Sequence, residues 1–173
     1  ATKIATAHTM NDQVETMLMR MVRGSGLTGL GGIRAKRDSV IRPILCLTRE
    51  EVEDYCSFNN IEFKDDKTNK MDIYTRNKMR LSVLPILKKE FNPNVIENMA
   101  NLSEMMQQTE EYLDFQIVKA CKEVVSEYKN GYSVDITIFK TYHKAIQTGI
   151  IRSVIQSLKG NLKNITYKHI ISV

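Results

Sequence analysis

Ala7-His8-Thr9-Met10-Asn11-Asp12-Gln13-Val14-Glu15-Thr16, with Arg23-Gly24-Ser25-Gly26-Leu27-Thr28-Gly29-Leu30 soon after it, decides how this chain reads. Lys3 to Ala7 before it reads as a short buried strand. Asp12 and Glu15 stand three apart, a capping-box spacing that predicts a helix N-cap at Asp12. Val14, Met17, Leu18, Met21 and Val22 then recur at helical intervals. They form one buried stripe and leave Gln13, Arg20 and Arg23 off it. Gly24 and Gly26 end the helix. That order puts ionisable groups and backbone N–H groups at one end of a sheet, where open α/β folds bind ligands.

Outward from this stretch, a loop runs through Lys36 and Val40 to Pro43 reads as a second strand. Thr48 and Glu51 form another capping box, opening a helix to about Phe58 with Val52, Tyr55 and Cys56 facing inward. Asn59 to Asp72 is polar and turn-like, and a helix from Tyr74 meets Pro85, which should interrupt or kink it. Asn92-Pro93 reads as a cap and first helical residue. Val95, Met99, Leu102, Met106, Leu113, Ile117, Cys121 and Val124 carry the pattern on, so one helix over 93–128 is predicted. At ~1.5 Å per residue it would be on the order of 50 Å long and would link two domains. Asn130-Gly131 punctuates the chain, Phe139 to Leu158 reads as two short helices broken at Thr148-Gly149, and Thr166 caps a last helix. A buried strand at the start and Ile170-Ile171 at the end predict a chain cut at both ends.

The 173 residues suit one domain, or a partial domain plus a small second one, and 42% hydrophobic residues suffice for a core. No run of eighteen apolar residues marks a membrane span, and Ala1-Thr2-Lys3 does not open a signal peptide. Cys46, Cys56 and Cys121 show no metal-like spacing, so they read as small buried residues of a reduced, cytoplasmic protein. Net charge is +5, arranged in alternating blocks: basic in 1–43, 76–93 and 129–173, acidic in 44–75 and 94–128. Such blocks either assemble a basic face for a polyanion or form an ordinary solvated surface.

Three constellations could carry chemistry. Near His8, the carboxylates Asp12 and Glu15 could orient an amine or a magnesium ion, or could simply cap a helix. The turn Arg23-Gly24-Ser25-Gly26 could cradle an anion or end a helix; it lacks the Gly-Lys-Ser/Thr of a Walker loop. Arg76 and Arg80, four apart beside Asn77, share a helical face and could grip phosphate or pair with the acidic 62–72 stretch.

Taken together, these pieces resemble the tRNA(Ile)-lysidine synthetase family of the PP-loop (N-type ATP pyrophosphatase) superfamily. Its His-x-x-Asp/Asn-Asp-x-x-Glu-Thr motif is matched by His8, Asn11, Asp12, Glu15 and Thr16. Its Arg-Gly-x-Gly-x-x-Gly-Leu turn is matched by Arg23, Gly24, Gly26, Gly29 and Leu30. Arg42-Pro43-Ile44, Arg49-Glu50-Glu51-Val52, Asp65-Asp66-Lys67-Thr68-Asn69, Tyr74-Thr75-Arg76-Asn77-Lys78-Met79-Arg80 and Leu84-Pro85 follow in the family's order. The ordered matches span residue 3 to about 115, and the helical remainder resembles the family's second domain more loosely.

The resemblance implies a mainly α chain: 1–92 as the C-terminal part of a Rossmann-like α/β PP-loop domain with short parallel strands. Residues 93–128 would be the connecting helix, and 129–173 the start of a small helical tRNA-binding domain. It implies a ligase that adenylates the wobble cytidine of tRNA(Ile) with ATP, after which L-lysine displaces AMP to give lysidine. Asp12 and Glu15 would be catalytic, holding the lysine ammonium with His8 nearby. Arg23, Gly24 and Gly26 would lie near the nucleotide phosphates, and Arg76, Asn77 and Arg80 near the tRNA anticodon. ATP and Mg2+ are expected for the full-length enzyme, with no metal site in this chain, and a homodimer is possible in this reading. The superfamily's Ser-Gly-Gly-x-Asp-Ser nucleotide loop has no match in 1–173, so this polypeptide alone is expected to be inactive. The alternatives are a non-catalytic tRNA-binding helical module and another PP-loop tRNA modifier, such as a cytidine thiolase. The thiolases use Cys-x-x-Cys, which is absent here.

Overall fold

The computed structural model describes residues 2–63 and 75–172. The Asp65–Asn69 element, the residues up to Tyr74 and the predicted start of a helix there lie outside the described residues. The chain divides into two compact units, Ala1–Gln108 and Thr109–Val173.

The first unit opens with strand β1 (Ile4–Ala5), which pairs in parallel with β3 (Val40–Ile41); β2 (Lys36–Arg37) adds to β3 antiparallel. The expected strand over Lys3–Ala7 is therefore two residues long, and it is exposed rather than buried. It pairs on one side only, in the order β1-β3-β2. The predicted second strand over Val40–Pro43 likewise shortens to Val40–Ile41, because Pro43 has no N–H to extend a ladder. Helix α1 (Met10–Val22) starts one turn earlier than its sequence suggests. Thr9 is the N-cap, and Asp12 reaches back to accept from its N–H at 2.8 Å and from its hydroxyl at 3.0 Å. This register turns Glu15 inward and buries Gln13, which was expected off the stripe. Val14, Met17 and Leu18 are buried as predicted, whereas Met21 and Val22, in the last turn, are exposed.

Gly24 takes a positive φ of 79°, and its N–H and that of Ser25 close back onto the carbonyls of Met21 and Arg20. A left-handed residue there is what ends α1. The expected loop then contains a short helix, α2 (Leu27–Leu30). The Thr48–Glu51 capping box forms as read and opens α3 (Arg49–Phe58). Glu51 accepts from the Thr48 N–H and hydroxyl, which holds its carboxyl below the usual range. Tyr55, expected inward, is exposed.

Pro85 does not break its helix. α4 (Thr75–Lys78), a wide turn at Met79–Val83, α5 (Leu84–Ile86) and a second wide turn at Leu87–Phe91 follow without a gap. The Leu84 N–H bonds to Met79 O and the Asn92 N–H to Leu87 O, each five residues back. A π-type bonding pattern on either side of the proline keeps the helical backbone continuous. Val14, Leu18 and Leu84 form the core of this unit, with Met79, Val83, Leu87, Ile96, Met99 and Ala100 packed around it. Each such side chain contributes about 1.5–3 kcal/mol when fully buried.

Helix α6 (Val95–Val124) begins after Asn92, whose Oδ1 accepts from the Asn94 N–H, so Pro93 lies in the turn before it. It is shorter than the predicted 93–128 helix, because Val125–Tyr128 is strand β4. β4 pairs antiparallel with β5 (Gly131–Val134) across a two-residue turn, Lys129-Asn130. Val125 and Val134 face each other, and β-branched cross-strand pairs of this kind favour a hairpin over more helix.

In the second unit, α7 (Ile136–Phe139) and α8 (Lys144–Lys159) replace the two helices expected on either side of Thr148-Gly149. α8 runs straight through Gly149, which is buried. A Cβ there would sit 2.2 Å from Ile117 Cδ1, so the glycine serves close approach to α6 and not a break. Ala120, Val124 and Ile150 centre this core. Thr166 caps α9 (Tyr167–Ile171) as predicted. The cysteines correct the expectation of buried residues: Cys46 is exposed and the other two are half-buried. Burial and a hydrogen bond from Ser153 act in opposite directions on Cys121, and burial prevails, pushing its thiol upward.

Candidate functional site

Because α1 starts at Thr9, Asp12 and Glu15 leave it on the side facing the helix that begins at Thr75. Arg76 and Arg80 are one turn apart there, so both guanidinium groups meet the same two carboxylates. Glu15 Oε1 accepts from Arg80 Nε at 2.6 Å, and Oε2 from Arg76 Nε at 2.8 Å and Arg80 Nη2 at 3.1 Å. Asp12 Oδ1 lies farther away, 3.3 Å from Arg80 Nη2 and 3.5 Å from Arg76 Nη2. The Glu15 side chain is 0% exposed, Asp12 19%, Arg80 22% and Arg76 39%. The bond to Glu15 raises the Arg80 pKa above its ordinary value, against the opposing effect of burial. Asn77, between the arginines, is buried and engaged.

The remaining expected site residues make other contacts, and Arg23, Gly24 and Gly26 lie at the far end of α1 from Asp12. His8 is half-buried, its Nδ1 2.9 Å from Thr6 Oγ1. Arg23 is exposed at the end of α1, and Gly24 and Gly26 are exposed beside it. The Gly24 N–H serves the helix cap just described.

Three residues that were not singled out as site residues hold the glycine-rich loop in place. Gln13 donates to Ser103 Oγ at 2.6 Å and accepts from the Ile33 N–H. Arg20 donates to Gly32 O at 2.8 Å, and Gln107 to Gly31 O and Ile33 O. Glutamine amides that bond backbone leave no periodic mark in a sequence, so nothing in the pattern pointed to them. Asn11 also has a structural part: its Oδ1 accepts from the Arg49 N–H, the first of α3, at 2.8 Å. A cleft of about 460 Å³ lies beside the loop, with Met10, Gln13, Ile33, Cys46 and Glu104 in its wall. Among the described residues no helix is long and apolar enough to cross a membrane.

A family model for the PP-loop domain matches residues 1–87. The chain is 40% identical over 172 residues to the tRNA(Ile)-lysidine synthase of Clostridioides difficile (strain 630), covering 98% of this chain and 37% of that protein. It is 42% identical over 169 residues to the synthase of Clostridium tetani, covering 97% and 36%. Against that of Bacillus cereus it is 38% identical over 160 residues, covering 90% and 33%. The chain thus spans a little over a third of the length of the first two relatives. With the first strand, the two carboxylates and the arginine pair all inside the matched segment, the chain belongs to the PP-loop family.

Proposed function

We propose that this chain is the amine-orienting and RNA-facing part of a ligase that converts the wobble cytidine of tRNA(Ile) to lysidine, using ATP and L-lysine. The observation that carries the reading is the convergence of Asp12, Glu15, Arg76 and Arg80 from two helices. The synthase relatives, matched over nearly all of this chain, support it. In this reading the parallel β1–β3 pair is a remnant of a Rossmann-like sheet, and residues 129–173 open a tRNA-binding domain whose lysines contact phosphates.

The chemistry runs in two steps. ATP adenylates the carbonyl oxygen of the cytosine base and releases pyrophosphate; the lysine ε-amine then attacks the carbonyl carbon so activated, and AMP leaves with that oxygen. Asp12 is the carboxylate nearer solvent and takes the lysine ammonium, with Glu15 behind it and His8 at the edge of the site. Holding the amine in place removes much of the entropic cost of attack. Arg23, Gly24 and Gly26 face the nucleotide phosphates, and Arg76 and Arg80 face the RNA with Asn77 buried between them. Mg2+ would accompany the ATP in the full-length protein, where it would offset charge on the phosphates.

The test is lysine-dependent AMP release from tRNA(Ile) and ATP by the full-length protein that carries this segment. Asp12→Asn should cut release by roughly a hundredfold or more, within the range for a lost positioning group. No lysine-dependent release from the unmodified protein would overturn the reading.

A further inference from the structure

We infer that the cleft beside the glycine-rich loop is a pocket for an unpaired RNA base with an exocyclic amino group, and that this base is not the cytosine that reacts. The inference rests on the function proposed above and adds a second base contact to it.

The cleft and the two carboxylates leave α1 on different sides. Met10 and Gln13 line the cleft. Asp12 and Glu15 each stand two residues further on, about 160° around a helix of ~3.6 residues per turn. A base held at Asp12 therefore does not fill the cleft. Its volume of about 460 Å³ is that of a small-molecule site, enough for a base and its ribose.

The lining suits a flat ring with one polar edge. Met10, Ile33 and Leu45 supply apolar surface, and Ala35 and Ala100 end at Cβ, which keeps the cleft open. The Gln13 and Gln107 amides are committed to the glycine-rich loop. That leaves Asn101 and Glu104, three apart on α6 and both exposed, to meet a ligand. The bond that Glu104 accepts from Gln108 Nε2 is long, 3.4 Å, and readily exchanged. A carboxylate accepts from an exocyclic amine, and a carboxamide beside it bonds the neighbouring ring nitrogen or carbonyl. Unpaired bases are read on such edges in single-stranded RNA.

Charge at the mouth fits the rest of the nucleotide. Lys36 and Arg37 follow Ala35 directly and are exposed. Arg37 Nε lies 4.0 Å from Asp38, an exposed pair of the kind that contributes little, so the cation is available to a phosphate. Phosphate contacts of this kind set the register of the strand, while the base edge carries the sequence information.

The test uses the full-length protein and tRNA(Ile) in which one unpaired anticodon-loop base at a time, the wobble cytosine excepted, has its amino group replaced by hydrogen. Affinity is measured for the unmodified protein, for Asn101→Ala with Glu104→Ala, and for Lys36→Ala with Arg37→Ala. All four side chains are exposed, so both variants should fold. With the unmodified protein, one altered RNA should bind roughly tenfold more weakly, the scale of one base-edge contact. That loss should vanish in the first double variant. The second should weaken every RNA alike, keep the base preference and show a shallower salt dependence. The inference is overturned if no position shows a loss, if the loss persists without Asn101 and Glu104, or if the second variant binds RNA as the unmodified protein does. Ala35→Leu, which fills the cleft from an exposed position, gives a further reading: an unchanged base preference in that variant also overturns it. Weaker ATP binding with unchanged RNA affinity in the first variant would assign the cleft to the nucleotide and overturn it likewise. Absence of lysine-dependent AMP release would sink the ligase reading alone, because RNA affinity is measured without the reaction.

Discussion

Replacing Gln13 with leucine tests whether one buried amide shapes the glycine-rich loop. In the native structure Gln13 is buried, donates to Ser103 Oγ at 2.6 Å and to Gly31 O at 3.4 Å, and accepts from the Ile33 N–H. Leucine keeps the volume and removes all three bonds. Gly31 O retains Gln107 as a donor, so its loss is small. The Ile33 N–H is left without its acceptor, costing about 1–3 kcal/mol, and the Ser103 hydroxyl loses a bond worth about 1 kcal/mol. The total, about 2–4 kcal/mol, is roughly a 30- to 800-fold change in the unfolding constant. Urea titration reads the global cost, and hydrogen exchange at the Ile33 amide reads the local one. Gln108→Leu is the control, since Gln108 is exposed and its amide reaches Glu104 at 3.4 Å; it should stay within about 0.5 kcal/mol. A Gln13→Leu protein that loses under 0.5 kcal/mol and keeps its Ile33 protection would refute the reasoning.

Gly149→Ala should gain about 1 kcal/mol of helix propensity and lose about 1–3 kcal/mol to overpacking against Ile117, for a net destabilisation of up to ~2 kcal/mol. In an Ile117→Ala background the same change should stabilise by about 1 kcal/mol; thermal melts of the four proteins check the reversal. The Glu51 carboxyl is held below its ordinary 4.5, so the Thr48 cap adds stability above that pH and loses it as pH falls through the lower folded value. The protection factors of amides in the first turn of α3 should therefore fall below about pH 4.5, and Thr48→Ala should flatten that pH dependence.

What could be read from the sequence divides along physical lines. The Thr48–Glu51 box, the Thr166 cap and the places of the strands at Ile4 and Val40 are legible because caps and apolar runs are local signals, whereas the parallel pairing came from the family resemblance. α1 was placed one turn off because Asp12 suits either N-cap or N3, and only the Thr9 contacts distinguish them. That offset matters at the site, since it takes Glu15 from a helix end to the interior. Gly149 looked like a break because spacing does not reveal what crosses a helix, and the β4–β5 hairpin was hidden inside a helical period that Val124-Val125 prolongs. Arg76 and Arg80 were found as a pair, but their partners lie more than sixty residues away and left no mark in the local pattern.

Asn11 gives the motif a mechanical side. Its side chain holds the first N–H of α3, and one residue earlier the Met10 N–H bonds to Leu47 O at 2.8 Å. Two contacts on successive residues make a joint: α3 and the loop before it cannot shift without carrying the first turn of α1, and Asp12 with it. An aspartate at position 11 would keep the acceptor and add a negative charge at the positive end of α3. The joint therefore works with either residue, because it depends on where an oxygen stands and not on a proton it gives or takes.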